Sequence, residues 1–209
     1  MSLVVFDLDG TLVDTVPAFR AAVQDVGSSS ADDLPSTDQI REIVARTRSY
    51  AGVFEALLDH IPANTGPGAK DRIQEAFGQE YPTHAKLYPG VYRLMMALEG
   101  RAACGLAGTA EVSLLDEMVD YFGLDGYIAY TFSTGRGESA LARTVVDWME
   151  TCGAPAGDSL WVSSRPWQLE IGRKLGLTTV FCEYGYGGSP AGNVDHRLER
   201  LSGLFSLFS

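Results

Sequence analysis

Five short apolar runs constrain the fold of this chain more than any other feature: LVVFD (3–7), AACGLAG (102–108), YIAYTF (127–132), SLWVSS (159–164) and TTVFCE (178–183). Each is almost continuously apolar instead of alternating, as expected of strands covered on both faces. Helical periodicity separates the later runs, near 90–99, 112–122, 139–152 and 166–175. Strands alternating with helices predict right-handed crossovers and a doubly wound parallel sheet of the α/β class. One interval breaks this rhythm. Between the first two runs lie more than ninety residues with helical patterns near 16–27, 37–48, 51–61 and 69–86, broken by GSSSADDLPS and PANTGPG, and no convincing strand. That block is too long for a single crossover, and it predicts an inserted all-helical subdomain over 14–86, with a core built from 1–13 and 87–209. The tail DHRLERLSGLFSLFS spaces its leucines and phenylalanines as a packed terminal helix would.

Charge narrows the partners. Sixteen basic against twenty-seven acidic residues give a formal charge of −11, the wrong sign for a chain that binds nucleic acid through its phosphates, or an anionic membrane surface. No apolar run approaches the roughly 18 residues of a membrane span, and no basic leader or signal-peptide core precedes the first strand, so a cytoplasmic location is expected. Cys104, Cys152 and Cys182 are odd in number and far apart, which predicts reduced thiols instead of a disulfide framework or a zinc site. His60, His84 and His196 have no nucleophile or ligand partner in the sequence and receive no role.

The first run ends in VVFDLDGTLVDT (4–15), which turns acidic where the strand should stop. In an open parallel sheet, ligands collect at the carboxyl ends of the strands, so Asp7 stands at the right address for chemistry. Side chains on a strand alternate faces; Asp7 and Asp9 converge only if the chain turns away after Asp7, and Gly10 and Thr11 supply the turn.

The string FDLDGTLVDT, its strand context and the helical insertion resemble the haloacid dehalogenase (HAD) superfamily, specifically small-helical-cap phosphatases of the phosphoglycolate-phosphatase type. The resemblance spans essentially the whole chain, with LYPGVYRLMMAL at the cap exit and EYGYGGSP after the last strand as further support. It implies that Asp7 is a nucleophile forming a phosphoaspartate, and that Asp9 is the general acid and then base. Two such carboxylates must hold different protonation states, which their closeness promotes. It also implies a magnesium ion held by Asp7 and the main-chain carbonyl of Asp9, and a phosphate grip at Thr109 in GLAGTAE. Thr109 suits equally well as an N-cap for the helix that follows. Dehalogenases of the superfamily typically lack the second aspartate, so Asp9 favours phosphoryl chemistry. The implied substrate is a small phosphorylated metabolite.

Two further motifs of the resemblance are degenerate. A lysine is expected after YIAYTF, but STGRGESALA contains none; its position falls on Arg136, which keeps the charge with a different geometry, or on Glu138, which reverses it. In WVSSRPWQLEIGRKLGLTTV, the two expected aspartates fall on Ser164 and Gln168, both neutral. Magnesium prefers charged oxygen ligands, so its binding should be weakened or lost. Three readings follow: a phosphatase of reduced activity; a catalytically inactive HAD-fold protein that binds phosphate or regulates; or a rewired metal site in which Glu138 supplies the missing carboxylate. Arg165, next to Ser164 in the same loop, is a further candidate for holding phosphate. Arg46, Arg48 and Tyr50 in VARTRSY read most simply as a solvated helix face, and Trp161 and Trp167 as core aromatics.

Overall fold

The computed structural model describes residues 1–27, 34–61, 66–188 and 192–208. Parts of the breaks GSSSADDLPS and PANTGPG, and the last two residues of EYGYGGSP, lie outside them. The core is a six-stranded sheet in the order β5-β4-β1-β6-β7-β8, parallel throughout. Its strands are β1 (Ser2–Phe6), β4 (Ala102–Gly108), β5 (Ile128–Ser133), β6 (Leu160–Ser163), β7 (Thr178–Cys182) and β8 (His196–Leu198). The first five match the apolar runs. β1 lies between β4 and β6 and is buried on both faces, which explains its unbroken apolar sequence. Leu3 and Val5 face a cluster with Trp148, Trp161 and Leu169, while Val4 and Phe6 face the other cluster with Leu94, Leu106 and Val162.

The crossover helices α5 (Val91–Leu98), α6 (Val112–Tyr121), α7 (Glu138–Cys152) and α8 (Pro166–Lys174) fall where their periodicity predicts. The insertion contains α1 (Val16–Gly27), α2 (Thr37–Arg46), α3 (Tyr50–Leu58) and α4 (Ala69–His84). It enters and leaves through a two-stranded antiparallel ribbon, β2 (Val13–Asp14) and β3 (Lys86–Leu87), with Val13 opposite Leu87 and Asp14 opposite Lys86. Strands this short carry no periodicity, which is why the sequence gives no sign of them. An aromatic cluster fills the cap: Phe19 stacks on Phe77 at 4.3 Å, and Tyr50, Phe54 and Tyr81 join edge-on or tilted. These rings belong to the same buried cluster as Val4, Leu106 and Val162 of the sheet.

The tail departs from its expected form. Instead of one terminal helix, it adds β8 to the sheet edge and ends in a 3-10 helix over Leu201–Leu207. Among the described residues of the tail, Leu198, Leu201 and Leu204 are buried, and Gly203 sits against the Leu198 side chain. The main-chain donors and acceptors exposed along β7 are better satisfied by a parallel strand than by a docked helix. Cys104 and Cys182 are buried and Cys152 half-buried, and all three are free thiols.

Candidate active site

The site forms at the carboxyl end of β1, where three loops meet. After β1 the backbone reverses tightly: Thr11, Leu12 and Val13 all donate their amides to the Leu8 carbonyl, and Gly10 adopts φ +72°. A side chain at Gly10 would meet the Ser164 hydroxyl at 2.8 Å and the Tyr186 ring at 2.8 Å, so both the turn and the crowding require glycine. The turn sends Asp7 and Asp9 to one side, both fully buried.

The side chain between them is Arg165. Its Nε donates to Asp7 Oδ2 at 3.0 Å, its Nη2 to Asp9 Oδ2 at 3.3 Å, and its Nη1 to the carbonyl of Thr47 in the cap at 2.8 Å. The whole side chain is inaccessible to solvent. Arg165 is placed by its loop: it is the N-cap residue of α8, followed by Pro166 in the first turn, and its amide donates to the Ser163 hydroxyl at 2.9 Å. Asp7 also accepts from the Leu8 amide at 2.9 Å and from Ser163 at 3.4 Å. Asp9 accepts from the Thr15 hydroxyl at 2.9 Å and from the Tyr50 phenol at 2.8 Å.

Two carboxylates sharing one guanidinium leave an excess negative charge in a dry environment. Burial pushes the Asp7 carboxyl up to about 6, against the pull of Arg165 and with the repulsion of Asp9 adding to it. Burial disfavours the Arg165 charge, but the two aspartates outweigh it and hold the guanidinium above its ordinary range. Burial, and then the Asp9 charge, push the Tyr50 phenol far up, so it stays a donor.

The remaining candidates separate into those brought to the pair and those that are not. Ser164 is there: its amide donates to Thr11 Oγ1 at 3.0 Å, and its hydroxyl makes a long 3.5 Å contact to the Asp9 carbonyl. Gln168 is buried nearby: its amide accepts from the Trp161 indole at 3.3 Å, donates to the Ala107 carbonyl at 3.3 Å, and also hydrogen-bonds the Asp7 carboxyl, which favours its ionised form. Thr109 follows β4, adjacent to β1, with its hydroxyl buried and without a hydrogen-bond partner. Its N-cap role is not formed, since α6 is capped at Glu111. Arg136 lies elsewhere: it is exposed, over the Phe132 ring at 6.0 Å, and lines a surface cleft with Arg143 and Asp147. Glu138 pairs with Arg48 of the cap and is partly exposed, so neither alternative for the missing lysine joins the aspartates. The chain's three lysines do not replace it: Lys70 pairs with Glu55, Lys174 with Glu170, and Lys86 is exposed.

The residues present do not fit the magnesium ion that the resemblance implies. The guanidinium already holds the Asp7 carboxylate that would bind the ion, the Asp9 carbonyl faces a serine hydroxyl, and Gln168 brings a neutral amide where a carboxylate is expected. Among the described residues, no group of three or more His, Cys, Asp or Glu side chains can hold a metal.

Tyr50 corrects the solvated-face reading of VARTRSY: it is buried onto Asp9, while Arg46 and Arg48 stay on the surface in ion pairs with Glu42 and Glu138. The signal available was the aromatic at the start of α3, behind the N-cap Ser49. Two further residues lay outside the sequence reading. Ser133, at the end of β5, has a buried hydroxyl without a partner. Tyr186, in the glycine-rich loop after β7, donates to Asp14 at 2.6 Å and accepts the amides of Thr15 at 2.6 Å and Val16 at 3.1 Å.

A parallel α/β core, a helical insertion and a buried aspartate pair at the end of a central strand are the architecture of a hydrolase class. A family model for haloacid dehalogenase-like hydrolases matches residues 1–176, and the chain belongs to that family. It is 24% identical over 213 residues to a phosphoglycolate phosphatase of Rhodospirillum rubrum, covering 91% of this chain and 83% of the relative. It is also 24% identical over 188 residues to an N-acetylmuramic acid 6-phosphate phosphatase of Pseudomonas putida, covering 88% and 83%. A crystal structure of a predicted phosphoglycolate phosphatase from Haemophilus somnus 129pt superposes with a TM-score of 0.78 at 17% identity, covering 100% of this chain and 98% of the other, and supports the fold.

Proposed function

We propose that the chain is a HAD-type phosphatase acting in the cytoplasm on a small phosphomonoester. The observation that carries this reading is the convergence of Asp7 and Asp9 at the end of β1, with the unpartnered Thr109 hydroxyl at the end of the neighbouring strand. A buried hydroxyl without a partner is costly, and a phosphate oxygen would satisfy it. In the proposed reaction an Asp7 carboxylate oxygen attacks phosphorus, the bond from phosphorus to the alcohol oxygen breaks, and Asp9 gives that oxygen its proton. Asp9 then takes a proton from water, whose oxygen attacks the phosphoaspartate; inorganic phosphate leaves and Asp7 is restored. No step is assigned to a metal. The relatives named for phosphoglycolate and N-acetylmuramic acid 6-phosphate make small phosphorylated metabolites the first substrates to test.

One observation favours a second reading, a phosphate-binding or regulatory protein without turnover: Arg165 occupies the nucleophile Asp7 and the acid/base Asp9 together. Hydrolysis of an aryl phosphate by wild type, Asp7→Asn and the Ser164→Asp/Gln168→Asp double variant separates the two. The phosphatase reading expects wild-type turnover that Asp7→Asn lowers at least ~1,000-fold. Phosphate binding with no wild-type turnover would establish the second.

A further inference from the structure

We propose that Arg165 is a resident cation: it takes the place and the charge-neutralising role of a divalent metal, so that this aspartate pair assembles and is held without one. The inference rests on the reading above for the identity of the reacting groups, but its charge argument stands without it. A buried aspartate pair needs positive charge within hydrogen-bonding reach, since two carboxylates removed from water otherwise repel and lose their solvation. Arg165 meets that need through a planar fork, with one donor on each carboxylate and a third on the Thr47 carbonyl.

Three observations make it a replacement and not a passer-by. The side chain has no solvent exposure, so its charge is compensated by the two carboxylates and not by water. It holds the Asp7 carboxylate at Oδ2, the side-chain group the implied magnesium ion would use, and ties it to the Asp9 carboxylate, so an ion at Asp7 would have to displace the guanidinium. The side chains around it in the same loop are neutral: the Ser164 hydroxyl makes only a long contact to the Asp9 carbonyl, and the Gln168 amide bonds Trp161, Ala107 and Asp7 without bringing a charge. The loop therefore carries its cation as a covalently attached side chain and, among the described residues, no group of three carboxylates, histidines or cysteines is gathered for an ion in solution to recruit.

The test titrates magnesium chloride into the full chain, after dialysis against EDTA, by calorimetry and by thermal unfolding. Wild type is expected to show no binding heat and no change in Tm up to millimolar magnesium. Arg165→Ala frees both carboxylates and is expected to gain a magnesium-dependent rise in Tm of several degrees. Arg165→Lys keeps a single positive charge, remains indifferent to magnesium, and preserves the test if the alanine variant does not fold. Wild-type binding at submillimolar magnesium overturns the proposal, as does magnesium stabilisation of Arg165→Lys equal to that of Arg165→Ala. Aryl phosphate hydrolysis separates this inference from the functional reading. Turnover that persists in EDTA supports both; turnover lost in EDTA and restored by magnesium overturns the resident cation and leaves the phosphatase. Magnesium indifference without any turnover supports the resident cation and removes the phosphatase.

Discussion

Asp7 is the residue on which pH behaviour turns. In the proposed reaction Asp7 attacks as a carboxylate, and burial pushes its carboxyl up to about 6; on that reading kcat/KM for an aryl phosphate is expected to rise with pH through about 6. Stability should run the other way. In the unfolded chain this carboxyl titrates near 3.8, so the folded state binds the extra proton, and the contribution of Asp7 is most favourable below pH 4 and is lost as pH rises through about 6. Urea midpoints of wild type and Asp7→Asn across pH 4 to 7 check this: the wild type should lose ground to the variant as pH rises. Tyr50→Phe removes a buried bond to the Asp9 carboxylate and should cost ~1.5–3 kcal/mol in the same assay. At this scale the sequence is legible in part. Asp7, Asp9 and Thr109 follow from one motif and strand ends, and Ser164, Gln168 and Arg165 from one ungapped loop. That Arg165 would fill the space between the aspartates, and that Tyr50 would reach Asp9 from the cap, depends on side-chain reach across 41 to 158 positions of sequence, which spacing cannot convey. The charge balance survives the substitutions in this chain. The implied pattern sets four carboxylates against a lysine and a magnesium ion, four negative charges against three positive; the observed site sets two against one, with the same excess.

The elements that matter are three loops at the carboxyl edge of the sheet, and they are fastened together by close backbone approach. A Cβ at Gly185 would stand 2.1 Å from the Gly10 carbonyl, and one at Gly187 would stand 1.8 Å from the Ser164 carbonyl. Gly187→Ala should therefore displace the loop after β7 from the loop after β6, lowering stability by ~2–4 kcal/mol in denaturant titration and disturbing the Tyr186 contacts to Asp14 and Thr15. Strands and crossover helices were readable because their periodicities extend over many residues. The two-residue ribbon at the cap hinge and the three-residue β8 were not, since pairing with a neighbour creates them and pattern does not. The tail misleads for a related reason: its helix-like spacing is real, but an open sheet edge competes for the same backbone.

Across the whole molecule, cap and sheet share one buried cluster that runs from Phe19 and Phe77 to Val4 and Val162. Truncation in the cap should therefore be felt by the core. Phe77→Ala is expected to cost ~3–5 kcal/mol and to shift a single unfolding transition, seen identically by far-ultraviolet circular dichroism and tryptophan fluorescence; two separated transitions would show that the cap melts alone. The surface contact between Arg48 and Glu138 is a weaker tie, because both ends are partly exposed, and Glu138→Gln should change stability by less than ~1 kcal/mol. Most of the cap's grip on the active site passes through residues 47 to 50. Thr47 accepts from Arg165, the Arg48 carbonyl accepts from Thr134, and the Tyr50 amide donates to the Thr109 carbonyl. The Thr47 bond ties the Arg165 guanidinium to the segment between α2 and α3, far in sequence from the ribbon at 13–14 and 86–87. An anion that drew the guanidinium toward itself would compete with the Thr47 carbonyl for the same donor, and by linkage loss of that bond would strengthen the hold on the anion. The Thr47 carbonyl is thus the group that an anionic ligand of Arg165 would have to displace.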